Sequence, residues 1–426
     1  MKIAIIGSGI SGNTLAWHLH KQHDITLYEA NSHIGGHSHT HDIHHQGEQH
    51  TIDSGFIVFN YKTYPNFIQM LESLDVPVKK SNMSFSVKCE SSGLEYNGNN
   101  LNSLFAQRRN LFRPAFHRMI RDILRFNKES IDWLASNSNS TLSLGEYLTM
   151  HNYSEAFIEY YIIPMGSAIW SSSYIQMMDF PAQFFIRFFA NHGLLSVTDR
   201  PDWYVIDGGS RAYVEKLVSG FRHRIRLNSP VKQVLRTPSH VTVYSESGGE
   251  EIYDYVFFAC HSDQALAMLQ QPNDFEQKIL GAFPYQKNDV VLHTDSSLLP
   301  RRKLAWAAWN YHRTQRTQSP VAVTYNMNIL QGINSAHTFC VTLNNSAAVD
   351  ENKILRHLSY DHPVFTPEGL AAQQQHSNLN GLNRCFYAGA YWGNGFHEDG
   401  VVSALQALDD FKENLRDAQQ AIRRAG

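Results

Sequence analysis

The stretch 2-KIAIIGSGISGNTLAWHLHKQHDITLYE-29 decides how the rest of the chain is read. Residues 2–6 are a short apolar run closed by Gly7, the pattern of a buried parallel strand. Gly7, Gly9 and Gly12 then open a helix that runs to Leu19, and a second apolar strand, 25–29, ends on Glu29. In this strand–turn–helix–strand setting the three glycines have separate tasks. Gly7 permits the tight turn, Gly9 lets the backbone approach a pyrophosphate, and Gly12 lets the helix pack closely on the sheet. Ser11 lies in the same turn, at a helix N-terminus that carries partial positive charge. Glu29, 17 residues after Gly12, can accept from ribose hydroxyls. The reading is a dinucleotide-binding α/β unit.

Working outward, 426 residues exceed what one hydrophobic core usually serves, so two domains are expected. With 36 basic and 39 acidic residues, the charge balance makes no overall case for nucleic acid. No window approaches the run of about 18 apolar residues that crosses a bilayer. The apolar start is broken by glycine after six residues, unlike a signal peptide. Cys89, Cys260, Cys340 and Cys385 form no CxxC pair, which fits a reduced cytoplasm and speaks against a disulfide framework or a cysteine-rich zinc site.

The fingerprint alone does not separate NAD from FAD; later residues do. Glu29-Ala30 is followed by Gly35-Gly36, Thr40 and 53-DSGF-56. Near the other end, 383-NRCFYAGAYWGNGFHEDGVVSAL-405 reads as a strand, a glycine-rich turn and an amphipathic helix with Val401, Val402, Leu405, Leu408 and Phe411 on its apolar side. Between them lie 203-WYVIDGGSRAYVEKL-217, 225-IRLNSPVKQVLRT-237 and 254-DYVFFACHSDQAL-266. In this order these segments resemble the flavin amine oxidase superfamily. The resemblance implies FAD, held by Gly7, Gly9, Ser11, Gly12, Glu29, Ala30, Gly35, Gly36, His37, Ser38, Val231, Gly389, Ala390, Gly400 and Val401. It also implies a Rossmann-like FAD-binding domain built from 1–60, 200–270 and 375–426, interleaved with an α+β substrate domain from 61–199 and 271–374. His33 and His37 stand where arginines are frequent in the superfamily, and Ala390 where an acid is common. No internal repeat is visible, and the one candidate low-complexity stretch, 136-SNSNSTLS-143, reads as a loop.

The histidine-rich run 33-HIGGHSHTHDIHH-45 bears on the site directly. His37, His39 and His41 would share one face of a strand, and paired strand histidines can hold zinc. Beside a glycine pair of the FAD type, His37 is instead expected to touch the flavin, with His41, His44, His45 and His50 on a solvated hairpin and no metal.

The words GGHSHT, DSGFIVFN, PMGSAIWSSS, FFACHSDQALAML, AAWNYH, VTYNMNILQGI and GAYWGNGFHEDG narrow the resemblance. They are similar to a branch of FAD-binding oxidoreductases that accompany, or are fused to, cyclopropane fatty acid synthases. That implies work on lipid acyl chains, dehydrogenation included, and a fatty-acid methyltransferase as a candidate partner. Amine oxidation and a noncatalytic partner role are the competing readings, with NADPH-dependent reduction behind them. For the chemistry, His397 aligns where amine oxidases place a ring-stacking tyrosine and is a candidate proton acceptor, since imidazole titrates near neutrality. Lys287 is a weaker candidate for the lysine that relatives hold by flavin N5. Phe56, Trp170, Phe184, Trp392 and Phe396 are expected to wall an apolar pocket. The Phe180–Phe189 stripe fits either a core helix or such a pocket. Finally, 103-SLFAQRRNLFRPAFHRMIRDILRFNK-128 is a basic amphipathic segment with Phe112, Phe116, Ile120 and Ile123 expected on its apolar face. It fits either a solvated helix or a peripheral contact with an anionic membrane.

Overall fold

The computed structural model describes residues 1–137, 140–197, 200–314 and 321–425. Residues 138–139 of the expected 136–143 loop lie outside them. The strand Lys2–Ile6 forms the middle of a five-stranded parallel sheet, flanked by Asp24–Tyr28 and Tyr255–Phe258, with Ile225–Arg226 and Cys385–Tyr387 at the edges. Both faces of this sheet are covered, which is why its strands are continuous apolar runs rather than alternating ones. Ile3 and Ile5 pack with Leu15, Val214, Val401, Leu408 and Phe411 from helices Ile10–Leu19, Arg211–Val218 and His397–Ala425. Ala4 and Ile6 pack the other way, against Val234 and Val243 of the antiparallel sheet Val231–Arg236, Val241–Ser245, Gly249–Tyr253. On the long C-terminal helix Val401, Leu408 and Phe411 are buried as expected, but Val402 is 46 % exposed and Ala404 takes its place against the sheet. The 3.6-residue period selects 401, 404, 408 and 411, leaving 402 on the far side.

The second large sheet has seven strands, in the order Ile354–Pro363, Tyr285–His293, Cys340–Leu343, Ala322–Asn326, Trp309–Arg313, Phe85–Cys89, Glu95–Asn97. Among the described residues, only Trp309–Arg313 and Phe85–Cys89 pair in parallel within it. A helical layer spanning Leu101 to Asn191 lies beside it, centred on Phe126, Trp133, Phe157, Trp170 and the Phe180–Phe189 stripe. In that stripe Phe180, Phe185, Phe188 and Phe189 are core, while Phe184 is only partly buried.

In the basic segment the long helix Pro114–Ser136 buries Phe116, Met119, Phe126 and Trp133. Phe112 departs from the expected face and is 86 % exposed. It belongs to a separate tight turn, Arg108–Phe112, and extended Arg113 breaks the phase before Pro114 starts the helix. Among the described residues no helix is long and apolar enough to cross a membrane.

Candidate FAD and active site

The dinucleotide cradle is built from backbone first. Gly7 sits at φ +104°, and a Cβ there would come within 2.7 Å of the Ala259 carbonyl oxygen. A Cβ on Gly12 would fall 1.9 Å from the Gly7 carbonyl oxygen, so helix and turn can meet only through glycine. Gly9 differs: its φ of −67° suits any residue, and a Cβ there would meet nothing within 4 Å. Its missing side chain therefore serves space reserved for something other than protein. Gly36 closes over it, with its own Cβ position 3.1 Å from the Gly9 Cα.

Glu29 is buried and already engaged. One carboxylate oxygen accepts from the Ser8 N–H and Oγ (3.0 and 2.6 Å), the other from the Asn31 backbone and side-chain amides (2.8 Å each). Ser8 and Asn31 thus take up all four lone-pair sites of the carboxylate, and a ribose hydroxyl accepted by Glu29 would share or displace one of these donors. Ser11 Oγ donates to the Gly400 carbonyl at 2.8 Å, fastening the C-terminal motif onto the N-terminal helix. A Cβ on Gly400 would lie 2.6 Å from an Ile10 methyl. The Gly389 N–H donates to Ser403 Oγ at 2.9 Å, Val401 is core, Val231 begins the three-stranded antiparallel sheet, Ala390 is half-buried, and Ala30 is exposed.

The DSGF motif acts as a brace. A Cβ on Gly55 would lie 2.2 Å from the His37 carbonyl oxygen, which accepts from the Phe56 N–H at 2.7 Å. Asp53 accepts from Thr40 Oγ1 (2.5 Å), Ser210 Oγ (2.8 Å) and the Ser210 N–H. Burial nonetheless lifts its carboxyl to about 6. In this way 53-DSGF-56 ties the glycine-pair loop to the Gly208-Gly209-Ser210 turn.

Within this frame the histidines gather. His37 lies between Tyr360 and His362, ring centroids 5.0 and 5.6 Å apart. Its Nε2 is buried without a hydrogen-bond partner. Burial, then the neighbouring His362, His261 and His397, hold it well below the ordinary imidazole range. A buried, neutral, unpartnered imidazole nitrogen beside the glycine cradle is what a flavin-binding group requires. With the open space at Gly9, it makes the residues present fit FAD. His362 hydrogen-bonds Ser171 Oγ at 3.0 Å and is lowered to about 4 by burial. Ser171 reaches it from a left-handed residue (φ +56°) that ends the helix Ile163–Trp170. His39 hydrogen-bonds Tyr360 at 3.0 Å and stacks on His33 at 3.9 Å; His41 pairs with Ser54 Oγ. Among the described residues no set of three or more histidines, cysteines and acids is placed to hold a metal ion.

The strand pair Tyr285–His293 and Ile354–Pro363 faces this cluster. Gln286 opposes His362 and Asn288 opposes Tyr360, so these four share one face. Lys287 opposes Asp361 on the other face and is exposed, away from the histidines. His397 is 8 % exposed, stacked on Phe56 at 3.7 Å, and its Nε2 meets the Tyr213 hydroxyl at 2.6 Å and Ser38 Oγ at 3.4 Å. Burial lowers it to about 3, not near neutrality as the sequence suggested. The aromatic residues expected in one pocket are divided. Trp170, Phe184 and Phe396 share the helical cluster: Trp170 stands 6.1 Å from Phe184 and 4.8 Å from Phe188, which stacks on Phe396 at 5.1 Å. Phe56 belongs with His397 and Phe67, and Trp392 is buried against His376 and Phe283 in the sheet core.

Sequence reasoning missed Tyr360, His362, His261, Ser171 and Tyr213. The alternation Tyr360-x-His362 in a strand was the available signal for two of them.

The covered parallel sheet, the glycine cradle and the carboxyl-end location of the site define an FAD-binding α/β oxidoreductase. The profile of the family described as flavin containing amine oxidoreductase matches residues 10–313, and the chain belongs to that family. FAD is its cofactor. No curated protein matches the chain. Among solved structures, a CLA-producing fatty acid isomerase from P. acnes is similar at a TM-score of 0.68 and 14 % identity, covering 95 % of this chain and 97 % of that one. Cyclohexylamine oxidase from Brevibacterium oxydans IH-35A is similar at a TM-score of 0.69 and 15 % identity, covering 97 % and 99 %. A putrescine oxidase variant is similar at 0.68 and 14 %, again covering 97 % and 99 %. At these identities the likeness is one of fold.

Proposed function

We propose that this flavin oxidoreductase acts on the acyl chain of a lipid, dehydrogenating a fatty-acid or phospholipid chain. One observation carries the reading: among the described residues, the part of the face nearest His37 presents no side chain charged at neutral pH, the first on that face being Arg356, four residues from Tyr360 and beside His41. The part nearest His37 offers His37, His362, Tyr360, Gln286 and Asn288, with the Trp170, Phe188 and Phe396 rings in the adjoining layer, while Lys287 points away. An uncharged, largely aromatic wall suits an apolar chain, whereas a cationic amine entering it would lose hydration without a counter-charge. The name of the fatty acid isomerase among the similar folds accords with this.

Bound FAD supplies a two-electron acceptor for hydride. The chain's own residues then have two tasks. His37 and the Gly35–Ser38 loop orient the cofactor, and the aromatic layer excludes water from the reacting carbons. His397, locked between Phe56 and Tyr213 and held neutral, is a positioning residue here: it braces Ser38 through the Tyr213 hydroxyl. His397→Ala is expected to cost about 3 kcal/mol of stability, from lost packing and an orphaned Tyr213 hydroxyl. The folded fraction should retain measurable turnover. A loss of roughly a thousandfold in kcat, at full FAD content and unchanged melting temperature, would make His397 the proton acceptor instead.

The reading is tested by anaerobic titration of the holoenzyme, following the visible flavin absorbance. Bleaching by phospholipid with unsaturated or methyl-branched chains, and not by amines, is the expected result. Bleaching by amines alone would make the protein an amine oxidase. Bleaching by neither, with tight binding to a fatty-acid methyltransferase, would favour the noncatalytic partner role.

A further inference from the structure

We propose that residues 101–121 and 301–304 together form a surface that docks on an anionic phospholipid bilayer. The first segment carries Arg108, Arg109, Arg118 and Arg121, all exposed. The second, 301-RRKL-304, is remote in sequence, yet its turn Lys303–Ala305 packs against the helix Leu101–Leu104. The contact is fixed by Glu95, which is buried and accepts the backbone N–H groups of Arg301 and Arg302 at 2.9 and 3.2 Å. The Asn97 side chain adds a bond to the Trp306 carbonyl at 2.7 Å. Glu95 is thus spent on backbone, and the guanidinium groups of Arg301 and Arg302 remain outside with Lys303.

Seven exposed cations result, and among the described residues none of them pairs with a carboxylate. Arg108 bonds the Asn102 side chain and the Phe105 carbonyl, and Arg109 bonds the Gly93 carbonyl. The one acid early in the long helix, Asp122, is buried on the Ser154 N–H and Arg125. This concentration stands out in a chain whose formal net charge is −3.

Large apolar side chains are set among these cations: Leu101 at 76 %, Leu111 at 45 %, Phe112 at 86 % and Leu304 at 42 % exposure. Phosphate recognition alone, as in nucleic-acid binding, needs the cations but not these. Cations ringed around exposed leucine and phenylalanine match a headgroup layer lying over acyl chains. The Arg108–Phe112 turn, which throws Phe112 out of the helix's phase, presents that ring to the outside.

Co-sedimentation of the holoenzyme with phosphatidylglycerol vesicles and with phosphatidylcholine vesicles tests this. Binding is expected to phosphatidylglycerol and not to phosphatidylcholine, and to weaken with salt. Arg118→Glu/Arg121→Glu and, separately, Arg301→Glu/Arg302→Glu should each weaken it by about 25-fold or more, at about fivefold per cation lost. Lys21→Glu/Arg222→Glu, outside the patch, should leave it unchanged. Phe112→Trp should shift its emission to the blue on phosphatidylglycerol vesicles. Unaltered melting temperature and flavin content establish that the variants fold. Absent binding, equal loss in the control pair, no emission shift, or displacement by single-stranded RNA with Phe112→Asp neutral would each overturn the proposal. Sedimentation is read without turnover, so its failure leaves the acyl-chain reading untouched.

Discussion

Gly9→Ala is expected to fold as a normal apoprotein and to lose at least 100-fold in FAD affinity, about 2.7 kcal/mol. Gly12→Ala is expected not to fold stably at all. The two glycines belong to one motif, and only the geometry separates them. At Gly9 the backbone is ordinary and a Cβ would touch no protein atom within 4 Å, so the apoprotein has no reason to object. The added methyl would stand where the pyrophosphate must approach. At Gly12 the Cβ would lie 1.9 Å from a backbone oxygen of Gly7, which no side-chain rotation can relieve. Forcing helix and sheet apart there should cost more than about 3 kcal/mol, a large share of a domain's stability. Thermal melts of both apoproteins, with FAD titration of the first, check the pair. A Gly9→Ala protein that retains FAD at wild-type affinity would refute the cradle.

Acid should destabilise the holoenzyme from just below pH 6.5, through its buried histidines. His397, His293 and His192 are buried, and burial lowers them to about 3, 4 and 4. A histidine lowered on folding contributes stability that is complete above its unfolded value near 6.5 and is lost as pH falls toward the folded value. By pH 4.5 the three together have given up roughly 8 kcal/mol, at about 1.36 kcal/mol per pH unit. Asp53 and Asp399 work in the opposite sense. Burial raises both carboxyls to about 6, so protonation below that value favours the folded state. Between pH 6 and 4.5 they return about 2 kcal/mol each. The histidines win by about 4 kcal/mol, comparable to the whole stability of a marginal domain. Melting temperatures measured from pH 7.5 to 4.5 should fall steeply below 6.5, and His293→Gln should flatten the fall. A flat profile would mean that these imidazoles are protonated in place.

The nucleotide half was legible because its signals are local. Glycine spacing, an apolar strand and a terminal acid occur within thirty residues, and the structure needs little more than that order to place Gly7, Gly9, Gly12 and Glu29. The α/β class followed from the same residues, whereas FAD rather than NAD was read from Gly35-Gly36, 53-DSGF-56 and the 383–405 segment through the family resemblance. The histidine face was not legible, because pairing between distant strands creates it. Nothing in 286-QKNDVVLH-293 alternates cleanly, so its facing is set by Ile354–Pro363 across the ladder, which turns Lys287 outward and brings Tyr360 and His362 to His37. Trp392 was misjudged for a related reason. It stands four residues from Phe396, but Gly393 and Gly395 turn the chain between them, one ring entering the sheet core and the other the helical layer. Phe112 was assigned to a helix face that begins only after Pro114.

The hydrogen bond from Ser11 to Gly400 sets a clock on biosynthesis. Its two ends are 389 residues apart, and the edge strand Cys385–Tyr387 is also supplied late. A ribosome adding about 5 to 20 residues per second leaves roughly 20 to 80 seconds between the first half of the cradle and its closure. During that interval Gly9 and Gly36 are already present, but the C-terminal wall of the nucleotide site is missing. Flavin capture therefore waits until Gly400 has been added, and until then the nascent chain must keep its N-terminal strands out of trouble without help from the cofactor it is built to carry.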